Sequence, residues 1–185
     1  MRIIAGEYRG RVLKSPADRK TRPTSDRLRE TLFNILNPKI NEETRFLDLC
    51  AGTGAIGIEA LSRGAEFVTF VDKSRKSCAL IEANLDLLQI PEDETEVVLS
   101  SAEDFVRRTK QNTSFDIIFF DPPYKSDYED ILRAVSDADS HLLHPDGSFI
   151  AEHHTKMNLP DKIGELRRWR YLKQGENSLS FYEKA

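Results

Sequence analysis

The chain has 185 residues, 39% of them hydrophobic and 31% charged, a balance that favours one folded domain over a disordered chain. It has no run of about eighteen apolar residues and no apolar stretch near its start, so we expect neither a membrane span nor a signal peptide, and a cytoplasmic location. Its two cysteines and four histidines lack metal-ligand spacing, which predicts no metal site and no disulfide framework.

Charge is distributed unevenly along the chain. The net charge is −4, yet residues 1–30 carry nine Lys or Arg against four Asp or Glu, and the remaining residues carry eighteen against twenty-seven. A basic segment in an otherwise acidic protein predicts an anionic partner, with nucleic acid as the leading candidate and a merely solvated surface as the alternative. The cationic residues expected to contact this anionic partner are Arg2, Arg9, Arg11, Lys14, Arg22 and Arg27.

The first forty residues are predicted to form a small extension. Residues 2–15 contain two short extended pieces around Gly6 and Gly10, which indicates a β-hairpin. Residues 24–36, TSDRLRETLFNIL, place leucines on one helical face and precede Asn37-Pro38, where an amphipathic helix should end. We therefore expect a basic extension at 1–40, which would contact the anionic partner, and the main domain at 41–185.

From residue 45 onward, apolar strands alternate with helices. Because the strands are continuously apolar, they predict a parallel sheet with helices on both faces. The final segment, 165–185, has two extended pieces around Gly175-Glu176-Asn177 with no helix between them, so the sheet should end in an antiparallel hairpin. Strands are expected at 45–50, 66–72, 95–100, 115–121 and 147–154, and helices at 55–64, 73–89, 101–110 and 126–142.

A glycine-rich motif, LDLCAGTGAIG, runs from the end of the first predicted strand into the first predicted helix of the sheet. Asp72 lies twenty residues after Gly52, the spacing of a dinucleotide-binding turn, so NAD is one candidate ligand. An acid at that position can accept hydrogen bonds from ribose hydroxyls. Asp48, four residues before Gly52, would face a cation more favourably than a pyrophosphate. The loop therefore favours S-adenosylmethionine, which has an amino group and a sulfonium and no phosphate.

The fourth predicted strand ends in FFDPPYK, at the same edge of the sheet as the glycine loop. Pro122 and Pro123 donate no backbone hydrogen bond, which leaves carbonyl acceptors beside the carboxylate of Asp121. Tyr124 offers a flat face on which a base can stack. An exocyclic amine of a nucleobase fits these features, because hydrogen bonds to both of its N–H groups would aim its lone pair at the sulfonium methyl.

Taken together, these motifs resemble the class I S-adenosylmethionine-dependent amino-methyltransferases. RIIAGEYRGRVL, RPTSDRLRETLFNIL, FLDLCAGTGAIGIEALSRGA and FFDPPY are similar, over nearly the whole chain, to the bacterial RsmD family, which methylates guanine N2 in small-subunit (16S) ribosomal RNA. Cys50 departs from relatives that often have Phe there. The resemblance implies a Rossmann-like, seven-stranded, mostly parallel sheet, and nothing in the sequence requires more than a monomer.

The resemblance also implies roles for individual residues. The cofactor would be bound by Asp48, Ala51, Gly52, Gly54, Asp72, Ser101 and Ala102. The target base would be held by Asp121, Pro122, Pro123 and Tyr124. No role is expected for Glu152 and His153 beyond that of a satisfied structural pair.

Four alternative functions remain open at this point. An N6-adenine methyltransferase acting on RNA or DNA would use the same layout, although the chain leaves little room for a DNA target-recognition region. A protein glutamine methyltransferase would favour Asn in place of Asp121. An inactive RNA-binding module would be free to lose the glycine loop and the DPPY motif, and an NAD-dependent oxidoreductase would give DPPY no role.

Overall fold

The computed structural model describes residues 1–16, 26–109, 113–123, 128–137 and 139–185. They form one eight-stranded sheet with the order β3-β2-β1-β4-β5-β8-β7-β6, in which β1 to β5 pair in parallel and β6, β7 and β8 run antiparallel to their neighbours. The predicted α/β fold with a C-terminal antiparallel hairpin is confirmed. The strands are β1 (Arg45–Leu49), β2 (Phe67–Asp72), β3 (Thr95–Leu99), β4 (Phe115–Phe120), β5 (Leu143–His154), β6 (Lys162–Ile163), β7 (Leu166–Gln174) and β8 (Asn177–Lys184).

Helices cover both faces of this sheet. One apolar layer joins the sheet to α1, α2 and α3, and the other joins it to α5 and the start of α4. In β4, Ile117 and Phe119 belong to the first layer and Ile118 and Phe120 to the second, as expected for a strand buried on both faces. The helices are α1 (Asp26–Leu36), α2 (Ala55–Ser62), α3 (Arg75–Leu88), α4 (Ala102–Arg108) and α5 (Tyr128–Ser136), with short 3-10 turns at Asn37–Lys39 and Glu92–Glu94.

The sheet has one strand more than the seven predicted. The additional strand, β6, pairs with β7 only through Lys162 with Arg167 and Ile163 with Leu166. Two residues are too few to show a hydrophobic period, so no sequence pattern could indicate this strand.

The predicted helix at 126–142 is too long at its C-terminal end. Helix α5 ends at Ser136, because Asp137 starts a turn: its Oδ1 accepts from the N–H of Asp139 at 3.0 Å and its carbonyl accepts from the N–H of Ser140 at 2.9 Å. Strand β5 then begins at Leu143 and includes a register irregularity against β4. A side chain that bonds its own backbone therefore ends the helix earlier than the apolar periodicity suggested.

The N-terminal segment, residues 1–16, is called the arm below. Its predicted hairpin is present as an antiparallel bridge between Arg2 and Val12, with backbone hydrogen bonds from the N–H of Ile3 to the carbonyl of Arg11 at 3.0 Å and from the N–H of Leu13 to the carbonyl of Met1 at 2.9 Å. Ile3 and Leu13 are 0% and 3% exposed and belong to the same apolar layer as α1. The arm is therefore held both by this backbone pairing and by side-chain burial.

Two buried polar side chains fasten the arm to the helices. Glu59 of α2 is fully buried and accepts from the backbone N–H groups of Ile4 and Ala5 at 2.8 and 3.0 Å. Asn84 of α3, also fully buried, accepts from the N–H of Lys14 at 2.7 Å. Because a buried group that loses its partner is costly, these bonds fix the path of the arm.

Gly6→Ala is expected to detach the turn of the arm from α2. Gly6 has a φ of +81°, and an added Cβ would lie 1.6 Å from the carbonyl oxygen of Ser62, which itself accepts from the N–H of Glu7 at 2.8 Å. Both the strain of a left-handed alanine, about 1 kcal/mol, and the displacement of the turn should lower the free energy of unfolding. Urea denaturation measures this loss.

Gly10→Ala is the matched control. Gly10 has the same φ of +81°, but among the described residues no atom lies within 4 Å of its added Cβ. It should show the left-handed strain alone, so Gly6→Ala should lose roughly 2 kcal/mol more. Equal losses in the two variants would mean that the contact with Ser62 does not hold the arm.

Candidate active site at the carboxyl ends of the parallel strands

The loop between β1 and α2 is shaped by left-handed backbone conformations. Cys50, Gly52 and Gly54 have φ values of 64°, 57° and 76°, and the N–H of Ala51 donates to the carbonyl of Val71 at 3.0 Å. An added Cβ at Gly52 would meet no described atom within 4 Å. The backbone at Gly52 is therefore open to close approach by a ligand, at the edge of the sheet where open α/β folds bind ligands.

Gly57 has a different purpose, the packing of α2 on the sheet. An added Cβ there would lie 2.3 Å from Cε1 of Phe70 and 2.7 Å from Cγ1 of Val68. The absence of a side chain lets the first turn of α2 lie directly on β2. The glycines of the loop thus divide between ligand access and helix–sheet packing.

Asp72, at the end of β2, ties the loop to the neighbouring strand. Its Oδ2 accepts from the N–H of Gly52 at 2.9 Å, and its Oδ1 accepts from the N–H of Ser74 at 2.8 Å. The residue is only partly buried, so both oxygens keep a lone pair for a ligand hydroxyl. Its role in ribose binding stays a prediction, and this geometry is compatible with it.

Asp48 lies beneath the loop. It is 2% exposed, and its Oδ2 accepts from the N–H of Gly57 at 3.0 Å. Burial raises the pKa of Asp48 from 3.8 to about 7; the bond from Gly57 lowers the pKa, and the charge of Asp72 raises it. The contact seen for Asp48 is with α2, so its direct contact with a cofactor stays a prediction.

Asp121 directly follows β4, next to the glycine loop. Its N–H donates to the carbonyl of Leu49 at 3.4 Å. Burial raises the pKa of Asp121 well above its usual range, and the charges of Glu152 and Asp48 raise it further. Pro122 is buried and Pro123 is exposed. Tyr124, the predicted stacking residue, lies outside the described residues.

Ser101 and Ala102 lie at the start of α4, beyond the end of β3. The Oγ of Ser101 accepts from the N–H of Asp104 at 3.1 Å and so caps the helix, and Ala102 is 5% exposed. The preceding residue, Ser100, donates its N–H to the carbonyl of Asp72 at 3.1 Å. This turn therefore adjoins the end of β2, and a place for adenine beside it stays a prediction.

An unusual concentration of carboxylates surrounds Cys50. Burial, and after it the charges of four acids, raises the pKa of its thiol to about 12; the acids are Asp72, Asp121, Asp48 and Glu103. A thiol with such a pKa stays protonated and is a poor nucleophile. The importance of this region lies in the acids, because such a cluster favours a ligand that brings positive charge.

The predicted RNA-contacting side chains are exposed wherever the structure describes them. Arg2, Arg9 and Arg27 line one cleft of about 340 Å³ between the arm and α1. Arg11 and Lys14 are exposed elsewhere on the arm. Arg22 lies outside the described residues. The structure thus brings three of these arginines to one surface.

In the described part of the chain, no group of three or more His, Cys, Asp or Glu residues could hold a metal ion. None of the described helices is long and apolar enough to cross a membrane.

Comparison with known proteins assigns the family. The family model described as "Conserved hypothetical protein 95" matches residues 1–183. "Putative rRNA methyltransferase YlbH" of Bacillus subtilis is 38% identical over 185 residues, which cover 100% of this chain and 99% of that protein. "Ribosomal RNA small subunit methyltransferase D" of Haemophilus influenzae is 41% identical over 124 residues, 67% of this chain and 64% of the relative. The chain belongs to the RsmD methyltransferase family.

A solved structure extends the RsmD likeness to the whole fold. "Putative methyltransferase yhhF from Escherichia coli" is 32% identical and superposes with a TM-score of 0.86. The alignment covers 100% of this chain and 97% of that one. The predicted class I methyltransferase architecture is therefore confirmed, and S-adenosylmethionine is the cofactor that this architecture implies.

The residues of this RsmD-family site fit S-adenosylmethionine. The loop LDLCAGTGAIG contains no Lys or Arg, and the charges that act on its Cys50 are those of four acids, Asp48, Asp72, Asp121 and Glu103. A pyrophosphate would meet repulsion there, whereas a sulfonium and an ammonium would meet attraction. The structure therefore favours S-adenosylmethionine over NAD on charge alone.

One residue of the RsmD-family site carried no prediction. Asn84 of α3 donates from Nδ2 to the carbonyl of Thr53 in the glycine loop at 3.0 Å and to the carbonyl of Lys14 in the arm at 3.2 Å. It therefore joins the arm to the cofactor loop. The sequence offers one indication of this role: Asn84 lies on the apolar face of α3 with Ile81, Leu85 and Leu88. An amide on a buried face needs hydrogen-bond partners.

Glu152 and His153, for which only a structural role is expected, each have a hydrogen-bond partner of their own. Glu152 is 3% exposed and its Oε1 accepts from Nδ2 of Asn177 at 2.7 Å, whereas Nε2 of His153 lies 2.9 Å from Oγ of Ser180. As neighbours on β5 they point to opposite faces of the sheet. Glu152 acts on the site electrostatically, since its charge raises the pKa of Asp121.

Asp48→Asn is expected to change how stability depends on pH. Because burial raises the pKa of Asp48 from 3.8 to about 7, the folded state holds this proton more tightly than the unfolded state does. The free energy of unfolding of the wild type should therefore fall as the pH rises from about 4 to about 7. Asn stays neutral and keeps an oxygen for the N–H of Gly57, so the variant should gain up to about 4 kcal/mol relative to wild type across this window.

Urea denaturation of both proteins at several pH values across this window measures the difference. The difference should grow with pH and level off above about pH 7. A difference that stays constant from acidic to neutral pH would contradict a protonated, buried Asp48.

Proposed function

We propose that this protein transfers a methyl group from S-adenosylmethionine to the exocyclic N2 amine of a guanine in small-subunit ribosomal RNA. The observation that carries the proposal is the convergence of Asp48, Asp72 and Asp121 around an open glycine loop. The names of the relatives, rRNA methyltransferase and ribosomal RNA small subunit methyltransferase D, support the substrate. We place the reaction in the cytoplasm and propose that the protein acts as a monomer.

The cofactor side of the site is formed by the glycine loop and the turn after β3. In this proposal Ala51, Gly52 and Gly54 present backbone to the cofactor, Asp72 accepts from its ribose, and Ser101 and Ala102 lie beside its adenine. Asp48 acts from below, through its hold on α2. When bound, S-adenosylmethionine supplies an electrophilic methyl group on a sulfonium.

The base side of the site activates a weak nucleophile. The lone pair of an exocyclic amine is delocalised into the ring. If Asp121 and the carbonyl of Pro122 each accept a hydrogen bond from the amine, the lone pair becomes more localised on nitrogen and points toward the methyl group. Transfer is then an in-line displacement that depends on proximity and orientation. Asp121, whose pKa is raised, is suited to take the proton that the amine releases once the new N–C bond has formed. Pro123 and Tyr124 would complete the base-holding turn.

Guanine fits this set of acceptors better than the alternative, adenine N6. The guanine edge carries donors on adjacent N1 and N2 atoms, whereas adenine presents an acceptor at N1. Asp121 and the nearby Glu152 are acceptors when ionised, and neither offers adenine N1 a donor in that state. Because the target atom must reach a partly buried acid, the base is expected to be unpaired or extruded from the RNA.

Residues 1–40 would act as the RNA-contacting extension of the domain at 41–185. The exposed side chains of Arg2, Arg9, Arg11 and Lys14, with Arg27 on α1, are proposed to contact phosphates together with Arg22. Such contacts position the substrate without reading its sequence.

One assay tests the chemistry and the substrate together. The purified protein is incubated with methyl-labelled S-adenosylmethionine and either small ribosomal subunits or naked ribosomal RNA from cells that lack the enzyme. Mass spectrometry of the digested nucleosides should find the label in N2-methylguanosine. Label in N6-methyladenosine would move the proposal to adenine, and label in neither would overturn it.

Asp121→Asn is expected to lower the rate of methyl transfer about a hundredfold or more, and to lower cofactor affinity by much less, through the loss of one acid near the sulfonium. The amide cannot take a proton and presents donors where acceptors are needed. Asp116→Asn is the control, because Asp116 lies near the N-terminal end of the same strand, β4, away from the site. Its carboxylate accepts from the N–H of Arg45 at 2.8 Å. Wild-type turnover in Asp121→Asn, measured at saturating RNA, would remove Asp121 from the mechanism.

Replacing Arg9 and Arg11 with Gln should weaken RNA binding and reduce its salt dependence while cofactor binding stays the same. Both side chains are exposed, so the arm should keep its fold. The matched control replaces the exposed Arg107 and Arg108 of α4 with Gln. Fluorescence anisotropy with labelled RNA and calorimetry with cofactor separate the two affinities. Equal loss of both would give the arm a structural role only.

A further inference from the structure

We propose that the edge strand β7 is a second RNA-contacting surface, formed by Arg167, Trp169 and Arg170 and called the β7 strip below. The inference rests on the proposed function, because it concerns how the same RNA substrate is held. It adds a surface that is distant in sequence from the arm.

The first observation is exposure at the edge of the sheet. β6 pairs only with Leu166 and Arg167, so in the described part of the chain the rest of β7 has a neighbour on one side alone, β8. Trp169 is 44% exposed although its ring lies 5.5 Å from that of Phe181. A large aromatic ring half-exposed on an open edge suits contact with a partner.

The second observation is a β-bulge that changes which side chains share a face. Arg168 pairs with Tyr182 and Arg170 with Phe181, so Trp169 is the extra residue between them. Trp169 packs on Phe181, and Arg170 stands opposite it, so both side chains lie on the face that Phe181 occupies. The bulge therefore sets an aromatic ring and a guanidinium side by side.

The third observation is the location of that face. Phe181 belongs to the apolar layer that also contains Ile3 and Leu13 of the arm and the apolar side of α1. The β7 strip is thus on the same side of the sheet as the arm. In the strand order β4-β5-β8-β7, three strand spacings separate β4, which Asp121 follows, from β7. This is a distance of about 15 Å across the sheet, which a few nucleotides can span.

Charge identifies the occupant as RNA. β7 carries four cations and no acid, in a chain whose residues after position 30 carry eighteen Lys or Arg against twenty-seven Asp or Glu. Arg168 is tied to Asp161 and to the carbonyl of Leu159 and is therefore structural. Among the described residues, no ion pair is recorded for Arg167 or Arg170. Exposed arginines flanking an aromatic ring are suited to phosphates and to base stacking.

Two variants test the two parts of the β7 strip by fluorescence anisotropy with a fluorescein-labelled fragment of small-subunit ribosomal RNA. Arg167→Gln with Arg170→Gln should weaken binding about tenfold at low salt and reduce the slope of log Kd against log salt by about 1.4. Trp169→Ala should weaken binding about fivefold or more with an unchanged salt slope, and Trp169→Phe should restore most of it.

Controls separate this inference from the proposed function. Arg107→Gln with Arg108→Gln removes the same charge from α4 and should bind RNA like the wild type, and cofactor affinity should be unchanged in every variant. If the wild type binds and methylates RNA while the β7 variants bind it equally well, the β7 strip is overturned and the proposed function stands. If the β7 variants bind the RNA fragment as the wild type does and lose affinity only for assembled small ribosomal subunits, the partner of the β7 strip is a protein and the inference is overturned. A wild type that neither binds nor methylates RNA would overturn both.

Discussion

The site depends on keeping several carboxylates close together at the end of a hydrophobic sheet. Asp48 is buried with a single backbone donor, and the charges of Asp72 and Asp121 lie nearby. Like charges in a medium of low dielectric repel and disfavour ionisation, so this arrangement opposes folding. The surrounding structure compensates with backbone donors: Gly57 to Asp48, Gly52 and Ser74 to Asp72. The glycine loop is therefore held in its shape by the same acids that give it a ligand preference.

This arrangement also explains how the fold prepares for a cationic ligand. Backbone N–H groups of Gly52, Gly57 and Ser74 hold two of these acids in place, so little reorganisation is needed when positive charge enters the site. Their mutual repulsion is relieved by positive charge, which makes binding more favourable than contact area alone would suggest. On the other side of the sheet, residues of the second apolar layer such as Phe120 and Ile118 are fully buried.

Much of this architecture follows from local sequence. Strands buried on both faces have no polar alternation, and the absence of a helix around Gly175 leaves only a hairpin. What local sequence does not contain is the orientation of single side chains. Leu47 and Leu49 occupy the layer of α5, which turns Asp48 toward α2, and this depends on which helix covers which face. The bulge at Trp169 likewise needs the partner strand to be known, since one extra residue is visible only in the pairing.

Asn84 makes the arm and the cofactor loop parts of one thermodynamic system. A single amide bonds the backbone of Lys14 and of Thr53, so a shift of either segment alters the hydrogen bonding of the other. Two ligands that each bias such a shared element must influence each other's affinity by the same factor, whichever binds first. A protein with this link has a physical basis for cooperativity between the molecule that donates a group and the molecule that receives it, without any change in the central sheet.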